Sequence, residues 1–142
     1  MNKRPILVAF SNQKGGVGKS TVTIVLASYF NYVKEWADSL ISDNGDIYLY
    51  DKSSYNVDFV NSGKVLFDIY KETGNKKYKL AMDVLIKQLK DQPRTLEGGY
   101  WHKLVYQHQI WLDGIYMASP FMAQYGAEFN QPEWIDEAVK QI

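Results

Sequence analysis

The sequence predicts a mainly α-helical fold of helix hairpins, preceded by a short strand and a phosphate-type loop. The chain has 142 residues, 46% of them apolar, which suffices for about one domain with a hydrophobic core. From Asn61 onward, apolar residues recur at helical spacing almost to the end of the chain. Similar segments begin at Asp38, Asp83 and Asp136, about 50 residues apart, and indicate a weak repeat. Because one helix pair cannot bury both of its faces, this repeat predicts hairpins stacked in a solenoid or a closed ring.

Composition excludes several classes of protein. The 16 basic residues balance 16 acidic residues, so the chain lacks the basic surface typical of nucleic-acid binding. The absence of cysteine excludes a disulfide framework, a thiolate metal site and a cysteine nucleophile. No apolar run approaches the ~18 residues of a spanning helix, and Ile6–Phe10 is too short for a signal-peptide core. We therefore expect a cytoplasmic protein that binds neither membrane nor nucleic acid, and the oligomeric state stays open.

The first third of the chain combines a strand, a glycine-bearing turn and a long helix. Ile6–Phe10 is apolar and partly β-branched, which predicts a buried strand. The turn Ser11–Gly18 follows, and helical spacing then predicts a helix from about Lys19 through Ile41. Turn-forming residues at 43–46 end this helix. The next segment, 47–51, is compatible with a short strand or with an extended loop.

The glycine-bearing turn has the features of a phosphate-binding loop. Its residues, in order, are Lys14, Gly15, Gly16, Val17, Gly18, Lys19, Ser20 and Thr21. Glycines let backbone N–H groups approach phosphates, Lys19 is placed to contact the terminal phosphates, and Ser20 is placed to hold Mg²⁺. Gln13 stands where the strict pattern has glycine, and the form present resembles the deviant Walker A loop of the ParA/MinD ATPases. The resemblance covers about residues 1–32 and implies ATP and Mg²⁺ as ligands.

The rest of the chain predicts four helices and one long loop. Ser62 is a candidate cap for a helix that closes at Gly74, and a second helix covers about 76–90 and ends before Pro93. The aromatic-rich connection 94–109 is of a length that is usually functional in a compact domain.

The last two helices follow this loop. The first covers about 111–125 and contains Pro120, a residue that can bend a helix. Asn130 is a candidate cap for the final helix, which has Pro132 in its first turn and runs to Ile142.

Two carboxylates, one histidine and two indoles lie at predicted helix starts or in the long loop. Asp58 and Asp113 supply the carboxylates, His102 a tunable proton donor, and Trp101 and Trp111 flat apolar faces. Taken singly, each of these residues is more often structural than catalytic. Together they are the residue types of a site that cleaves sugars, because carboxylates move protons and aromatic faces bind sugar C–H faces.

From about residue 32 to residue 142 the sequence resembles glycoside hydrolase family 105, the unsaturated rhamnogalacturonyl hydrolases. The segments WHK at 101–103 and WLDGIYMASP at 111–120 carry the resemblance. It implies a ring of six helix hairpins, so this chain is expected to form an incomplete (α/α) toroid over 33–142. It also implies release of unsaturated galacturonate from rhamnogalacturonan oligosaccharides, with no cofactor and no metal.

The resemblance assigns roles to four residues. Asp113 matches the general acid/base, which donates a proton to C4 of the unsaturated ring while activating the water that adds to C5. Asp58 matches a second aspartate that positions water and ring hydroxyls. His102 matches a cleft histidine, and Trp111 matches a stacking wall that also shields Asp113 from water.

Two further assignments and two alternatives complete the prediction. Trp101 and Lys103 flank His102, and Lys103 is a candidate contact for the uronate carboxylate, although a solvated lysine is the commoner case. The two resemblances predict a join near 31–34 between a ParA-like segment, 1–32, and the hydrolase segment. The alternatives are an ATP-dependent partitioning ATPase and an inactive helical remnant.

Overall fold

The structure is a computed structural model that describes residues 17–142, with side chains from residue 25 onward. Six α-helices form this part of the chain, which contains isolated bridges but no strand. The mainly α prediction is therefore confirmed. The predicted strand Ile6–Phe10 and Lys14, Gly15 and Gly16 of the predicted phosphate loop lie outside the described residues. The helices are α1 (Val17–Leu40), α2 (Asp58–Gly63), α3 (Val65–Thr73), α4 (Lys76–Asp91), α5 (Leu112–Glu128) and α6 (Pro132–Lys140).

Helix α1 confirms the long helix predicted from the spacing of apolar residues. It runs without interruption across 31–34, and Gly18–Thr21 of the predicted phosphate loop lie in its first turns. After α1, Ile41 and Ile47 form a single antiparallel bridge around a turn. Gly45 in that turn has φ 83°, and its Cα lies so close to Leu80 that a Cβ would clash. The segment 47–51 is thus a loop that packs on α4, with a 3-10 turn at Lys52–Ser54 after it.

The helix predicted to end at Gly74 is α3, and α2 is a separate short helix before it that the sequence did not predict. The predicted cap, Ser62, lies inside α2, so this prediction is wrong. The helix begins at Asp58 because the side chain of Asn56 accepts a hydrogen bond from the Asp58 backbone N–H at 2.9 Å. Helix α3 ends at Gly74, which has φ 64°, as predicted from its position.

Helix α4 forms the centre of the core and confirms the prediction for 76–90. Asn75 caps it by accepting a hydrogen bond from the backbone N–H of Lys77 at 3.1 Å. The predicted apolar face is buried and packs on α2 and α3. Its members are Tyr78, Ala81, Leu85 and Leu89, each at most 2% exposed.

Helices α5 and α6 pack side by side, and α5 also contacts α2. The predicted cap Asn130 is wrong: this residue adopts a left-handed conformation, φ 54°, in the turn between the helices. Gln131 precedes the first turn of α6, where Pro132 lies as predicted. Pro120 lies within α5, as the sequence predicted.

The weak sequence repeat corresponds to a repeated polar contact between helices. Asp38 on α1 accepts a hydrogen bond from the Tyr78 hydroxyl on α4 at 2.5 Å. Asp83 on α4 accepts one from the Tyr125 hydroxyl on α5, also at 2.5 Å. In both cases a lysine four residues earlier on the same helix pairs with the aspartate. The third aspartate of the repeat, Asp136, is exposed and makes no ion pair within residues 25–142.

Candidate active site

Three of the predicted site residues meet around the imidazole of His102. Its Nε2 lies 3.1 Å from Oδ1 of Asp58, and its Nδ1 lies 3.9 Å from Oδ1 of Asp113. The His102 side chain is 2% exposed, whereas Asp58 and Asp113 are 42% and 57% exposed. The buried imidazole therefore lies between two carboxylates that face the solvent.

Backbone pairing brings these residues together. Asp58 opens α2, Asp113 lies in the first turn of α5, and His102 belongs to the long loop between α4 and α5. The Val57 N–H donates to the carbonyl of His102 at 3.0 Å, and the Leu104 N–H donates to the carbonyl of Ser54 at 2.9 Å. These bonds hold the start of α2 against the loop.

A glycine permits the approach of α5 to the imidazole. A Cβ on Gly114 would lie 2.9 Å from Nδ1 of His102, which is shorter than a normal contact. Because Gly114 has no side chain, the first turn of α5 reaches the imidazole and places Asp113 beside it.

Aromatic stacking fixes the plane of the imidazole. The indole of Trp111 stacks on His102 with a centroid distance of 4.3 Å and an angle of 14°. Trp111 also stacks on Tyr106 at 4.9 Å and 19°. Trp111, predicted as a stacking wall for the sugar, therefore stacks on His102. It does not shield Asp113 from water as expected, because the Asp113 side chain is more than half exposed.

Lys103 and His102 control the charge of Asp58. Partial burial alone would raise the pKa of the Asp58 carboxyl, but a hydrogen bond and the charge of Lys103, together with His102, outweigh burial and lower it. Nζ of Lys103 lies 2.6 Å from Oδ2 of Asp58. Asp58 is therefore ionised at neutral pH, and its Oδ1 lies within hydrogen-bond distance of Nε2 of His102. Nδ1 has no hydrogen-bond partner within the described residues.

Trp101 and Lys103 differ from their predicted positions. The Trp101 indole packs edge-on against His108, with centroids 4.6 Å apart, and does not join the stack of rings on His102. The Lys103 ammonium, predicted as a contact for a substrate carboxylate, is paired with Asp58 and is 25% exposed.

Three residues that surround the site were missed by the sequence analysis. Tyr106 carries no signal beyond its aromatic type. Gln88 and Gln92 lie three residues after Leu85 and Leu89 on the buried face of α4, and they are 0% and 3% exposed. Polar residues at these positions of an apolar face were a signal available in the sequence.

Neither a metal cluster nor a membrane-spanning helix occurs in the part of the chain that the structure describes. No group of three or more His, Asp or Glu side chains there is arranged to hold a metal ion. No helix there is both long enough and apolar enough to cross a membrane.

Comparison with known proteins shows what this chain is similar to. The family model described as Glycosyl Hydrolase Family 88 matches residues 21–142. A solved structure of a family 105 glycoside hydrolase from C. acetobutylicum ATCC 824 is 39% identical over 86% of this chain, with a TM-score of 0.78. The match covers 34% of that chain, so the present chain spans about a third of the length of this relative. The similarity to glycoside hydrolases and the toroid-type arrangement of helices are confirmed, whereas the resemblance of 1–32 to ParA/MinD ATPases and the join near 31–34 stay predictions.

Proposed function

The chain belongs to Glycosyl Hydrolase Family 88, and from this membership we propose that it carries part of the active site of an unsaturated rhamnogalacturonyl hydrolase. The proposed substrate is an oligosaccharide with an unsaturated galacturonate linked to rhamnose, and no cofactor is proposed. The observation that carries the proposal is the contact of one buried imidazole with two exposed carboxylates, Asp58 and Asp113. Residues 33–142 are the proposed extent of the hydrolase segment.

The proposed reaction adds water across the C4–C5 double bond of the unsaturated ring. Asp113 in its protonated form donates its proton to C4, so a C–H bond forms there and positive charge develops at C5 and the ring oxygen. A water molecule then bonds to C5 and gives its proton to the Asp113 carboxylate, which restores the acid. The hemiketal formed at C5 collapses and releases the rhamnose-bearing product. The exposure of Asp113 supports this role, because its carboxyl is accessible to a bound sugar.

The neighbouring residues have supporting roles in this proposal. Ionised Asp58 positions water and ring hydroxyls, and His102 links it to Asp113. The imidazole of His102 lies beside Asp113, with Nδ1 3.9 Å from Oδ1, and holds the carboxyl at the site while its single proton stays free for transfer to C4. Trp111 is 38% exposed and offers the edge of its ring stack to the sugar. Lys103 has three ammonium protons, so it can bind Asp58 and a substrate carboxylate together.

A ligand-dependent thermal shift tests this proposal. We expect an unsaturated galacturonyl-rhamnose disaccharide to raise the melting temperature of the chain by several degrees at 100 times its Kd, which corresponds to about 2.7 kcal/mol. The saturated disaccharide, which lacks the C4–C5 double bond, is the matched control and should give a smaller shift. A shift with ATP–Mg²⁺ alone would replace the proposal with the partitioning ATPase, for which Lys14, Lys19 and Ser20 are the predicted ligands. No shift with either ligand would favour the inactive remnant.

A further inference from the structure

We infer that two buried amides, Gln88 on α4 and Gln92 directly after its last residue, are positioning residues that set the contact between Asp58 and His102. Neither residue lies among the groups that face the solvent at the site, and both are at most 3% exposed. Their catalytic meaning rests on the proposed function, but their structural effect is measurable without turnover.

Gln92 holds the two segments that carry the site residues. Its side-chain Nε2 donates to the carbonyl of Tyr55 at 2.7 Å and to the carbonyl of Trp101 at 2.8 Å. An amide nitrogen has two protons, so both are used, one on each segment. Trp101 directly precedes His102, and Tyr55 lies three residues before Asp58. One side chain thus fixes the separation of the two segments just before each enters the site.

Gln88 completes this network. Its Nε2 donates to the carbonyl of Asn56 at 3.1 Å and to Oε1 of Gln92 at 3.2 Å. Its Oε1 accepts a hydrogen bond from the Tyr50 hydroxyl at 3.0 Å. Burial raises the pKa of Tyr50 to about 12, so this hydroxyl stays protonated and remains a donor at neutral pH. The hydroxyl therefore fixes the orientation of both amides, and every polar atom of the pair has a partner.

The bonds from α4 hold the segment before Asp58 in a specific conformation. Tyr55 has φ 45°, a left-handed conformation that costs a non-glycine residue about 1–2 kcal/mol. The next residue, Asn56, provides the side-chain oxygen that caps the backbone N–H of Asp58. The carbonyls of both residues accept hydrogen bonds from the amide pair. We infer that loss of these bonds allows the segment to relax, which moves Asp58 away from Nε2 of His102.

Packing alone does not account for amides at these two positions. Leu85 and Leu89, the previous residues on the same face of α4, are at most 2% exposed and fill the core without polar atoms. A methionine at position 92 would occupy a similar volume but would leave the carbonyls of Tyr55 and Trp101 without the donors that Gln92 provides. The amide is required only because two buried carbonyls must be held at fixed positions.

The test is NMR of the His102 imidazole in the wild-type chain and in Gln92→Met. In the wild type, the 3.1 Å contact between Nε2 and Asp58 leads us to expect an Nε2–H proton that exchanges slowly with solvent. We expect exchange to become about tenfold faster in Gln92→Met, as for the loss of one hydrogen bond, together with a shift of the Nε2 resonance. The resonances of the other histidine are assigned with His108→Gln.

The matched control is Tyr78→Phe, which also removes a buried hydrogen bond of α4, in this case to Asp38 on α1. It should lower stability without changing the His102 signals. The inference is overturned if folded Gln92→Met keeps wild-type exchange, or if Tyr78→Phe accelerates exchange to the same extent. If circular dichroism shows that Gln92→Met is unfolded, Gln88→Met provides the test, with a smaller acceleration expected and unchanged exchange overturning the inference. Failure here leaves the ligand-dependent thermal shift unaffected, so the two proposals are separable.

Discussion

Asp58 and Asp113 have the same side chain but different surroundings. Asp58 is bonded to Lys103 and His102 and keeps its charge, whereas Asp113 is more exposed and lies beyond hydrogen-bond distance of Nδ1. Active sites assign separate roles to two carboxylates through such differences in environment. At the scale of single residues, these surroundings support the roles proposed above, with Asp58 as the fixed anion and Asp113 as the proton donor.

The first prediction concerns Asp113→Asn. Turnover of the unsaturated disaccharide should fall by about 10²–10⁴-fold because the proton donor is removed. The loss of ultraviolet absorbance from the double bond of the substrate measures this turnover. The free energy of unfolding should change by no more than about 0.5 kcal/mol, because the side chain is exposed and makes no hydrogen bond within residues 25–142. Retained turnover would remove the catalytic assignment, and an unfolded variant would point to a structural role.

The second prediction concerns Gly114→Ala. The added methyl group is directed at Nδ1 of His102, so we expect a loss of about 1–3 kcal/mol in the free energy of unfolding, partly offset by the better helix propensity of alanine. In a His102→Ala background the same substitution should become neutral or stabilising, because the nearest atoms to the new Cβ all belong to His102. A cost that is equal in both backgrounds would contradict this account. Urea unfolding of the four proteins measures the coupling.

At the scale of a helix, α5 lacks one backbone hydrogen bond, and a side chain from outside the helix replaces it. Pro120 has no N–H to pair with the carbonyl of Tyr116, four residues earlier. Nζ of Lys64 donates to that carbonyl at 3.1 Å and lies 3.9 Å from the centroid of the Tyr116 ring. Burial lowers the pKa of Lys64, yet its ammonium remains the donor at neutral pH. A lysine between α2 and α3 thus replaces the missing helical hydrogen bond.

The third prediction follows from this replacement. Lys64→Met should cost about 1 kcal/mol, because it leaves the Tyr116 carbonyl without its donor. Pro120→Ala supplies a backbone N–H, so the cost of Lys64→Met should largely disappear in that background. Thermal unfolding of the single and double variants measures the coupling. Independent, additive effects would show that the lysine does not serve this carbonyl.

Helix ends show which features the sequence predicts and which require the structure. Gly74 was predicted as the end of α3 because only local backbone geometry is involved, and the structure places it there. Ser62 and Asn130 have the composition of caps, but Ser62 lies inside α2, which begins at Asp58, and Asn130 lies in the turn before α6. Residue type alone therefore does not decide which of several nearby residues begins a helix.

The candidate site divides in the same way. Asp58, His102 and Asp113 lie in short motifs whose residue types indicate chemistry, so the sequence was sufficient to name them. The roles of Gln88 and Gln92 depend on contacts with residues up to 38 positions away, and periodicity within α4 does not specify such partners. The Asp58–Lys103 ion pair was missed for the same reason.

At the scale of the whole molecule, charged side chains join segments that are far apart in the sequence. Partial burial alone would raise the pKa of Asp38, but bonds from Lys34, Lys77 and Tyr78 outweigh it and hold the pKa far below its ordinary value. Burial likewise would raise the pKa of Glu137 on α6, but its bonds to Arg94 and Gln141 lower it. Since both folded-state pKa values are depressed, the stabilisation from these groups is fully present above their ordinary values and is lost as the pH falls through the folded-state values.

The fourth prediction is therefore a loss of stability in acid. Asp38 and Glu137 should contribute little change to the free energy of unfolding between about pH 7 and pH 5. Below about pH 4 the free energy of unfolding should fall steadily as these carboxylates are protonated. Asp38→Asn should lower stability at neutral pH and reduce the slope in acid. Asp68→Asn, which alters an exposed carboxylate without an ion pair in residues 25–142, is the control and should keep the wild-type slope. Equal slopes for wild type and Asp38→Asn would refute this origin of acid sensitivity.

The paired aspartates and tyrosines also amount to a rule for extending the array. Each of these contacts between two helices consists of an aspartate, a lysine one turn before it, and a tyrosine about 40 residues further along the chain. Asp136 already occupies the aspartate position on α6, where residue 132 is proline instead of lysine. If a copied hairpin with a tyrosine at that distance were appended, the carboxylate of Asp136 would be available to accept a hydrogen bond from the tyrosine hydroxyl. Each added hairpin would then be bonded to the one before it.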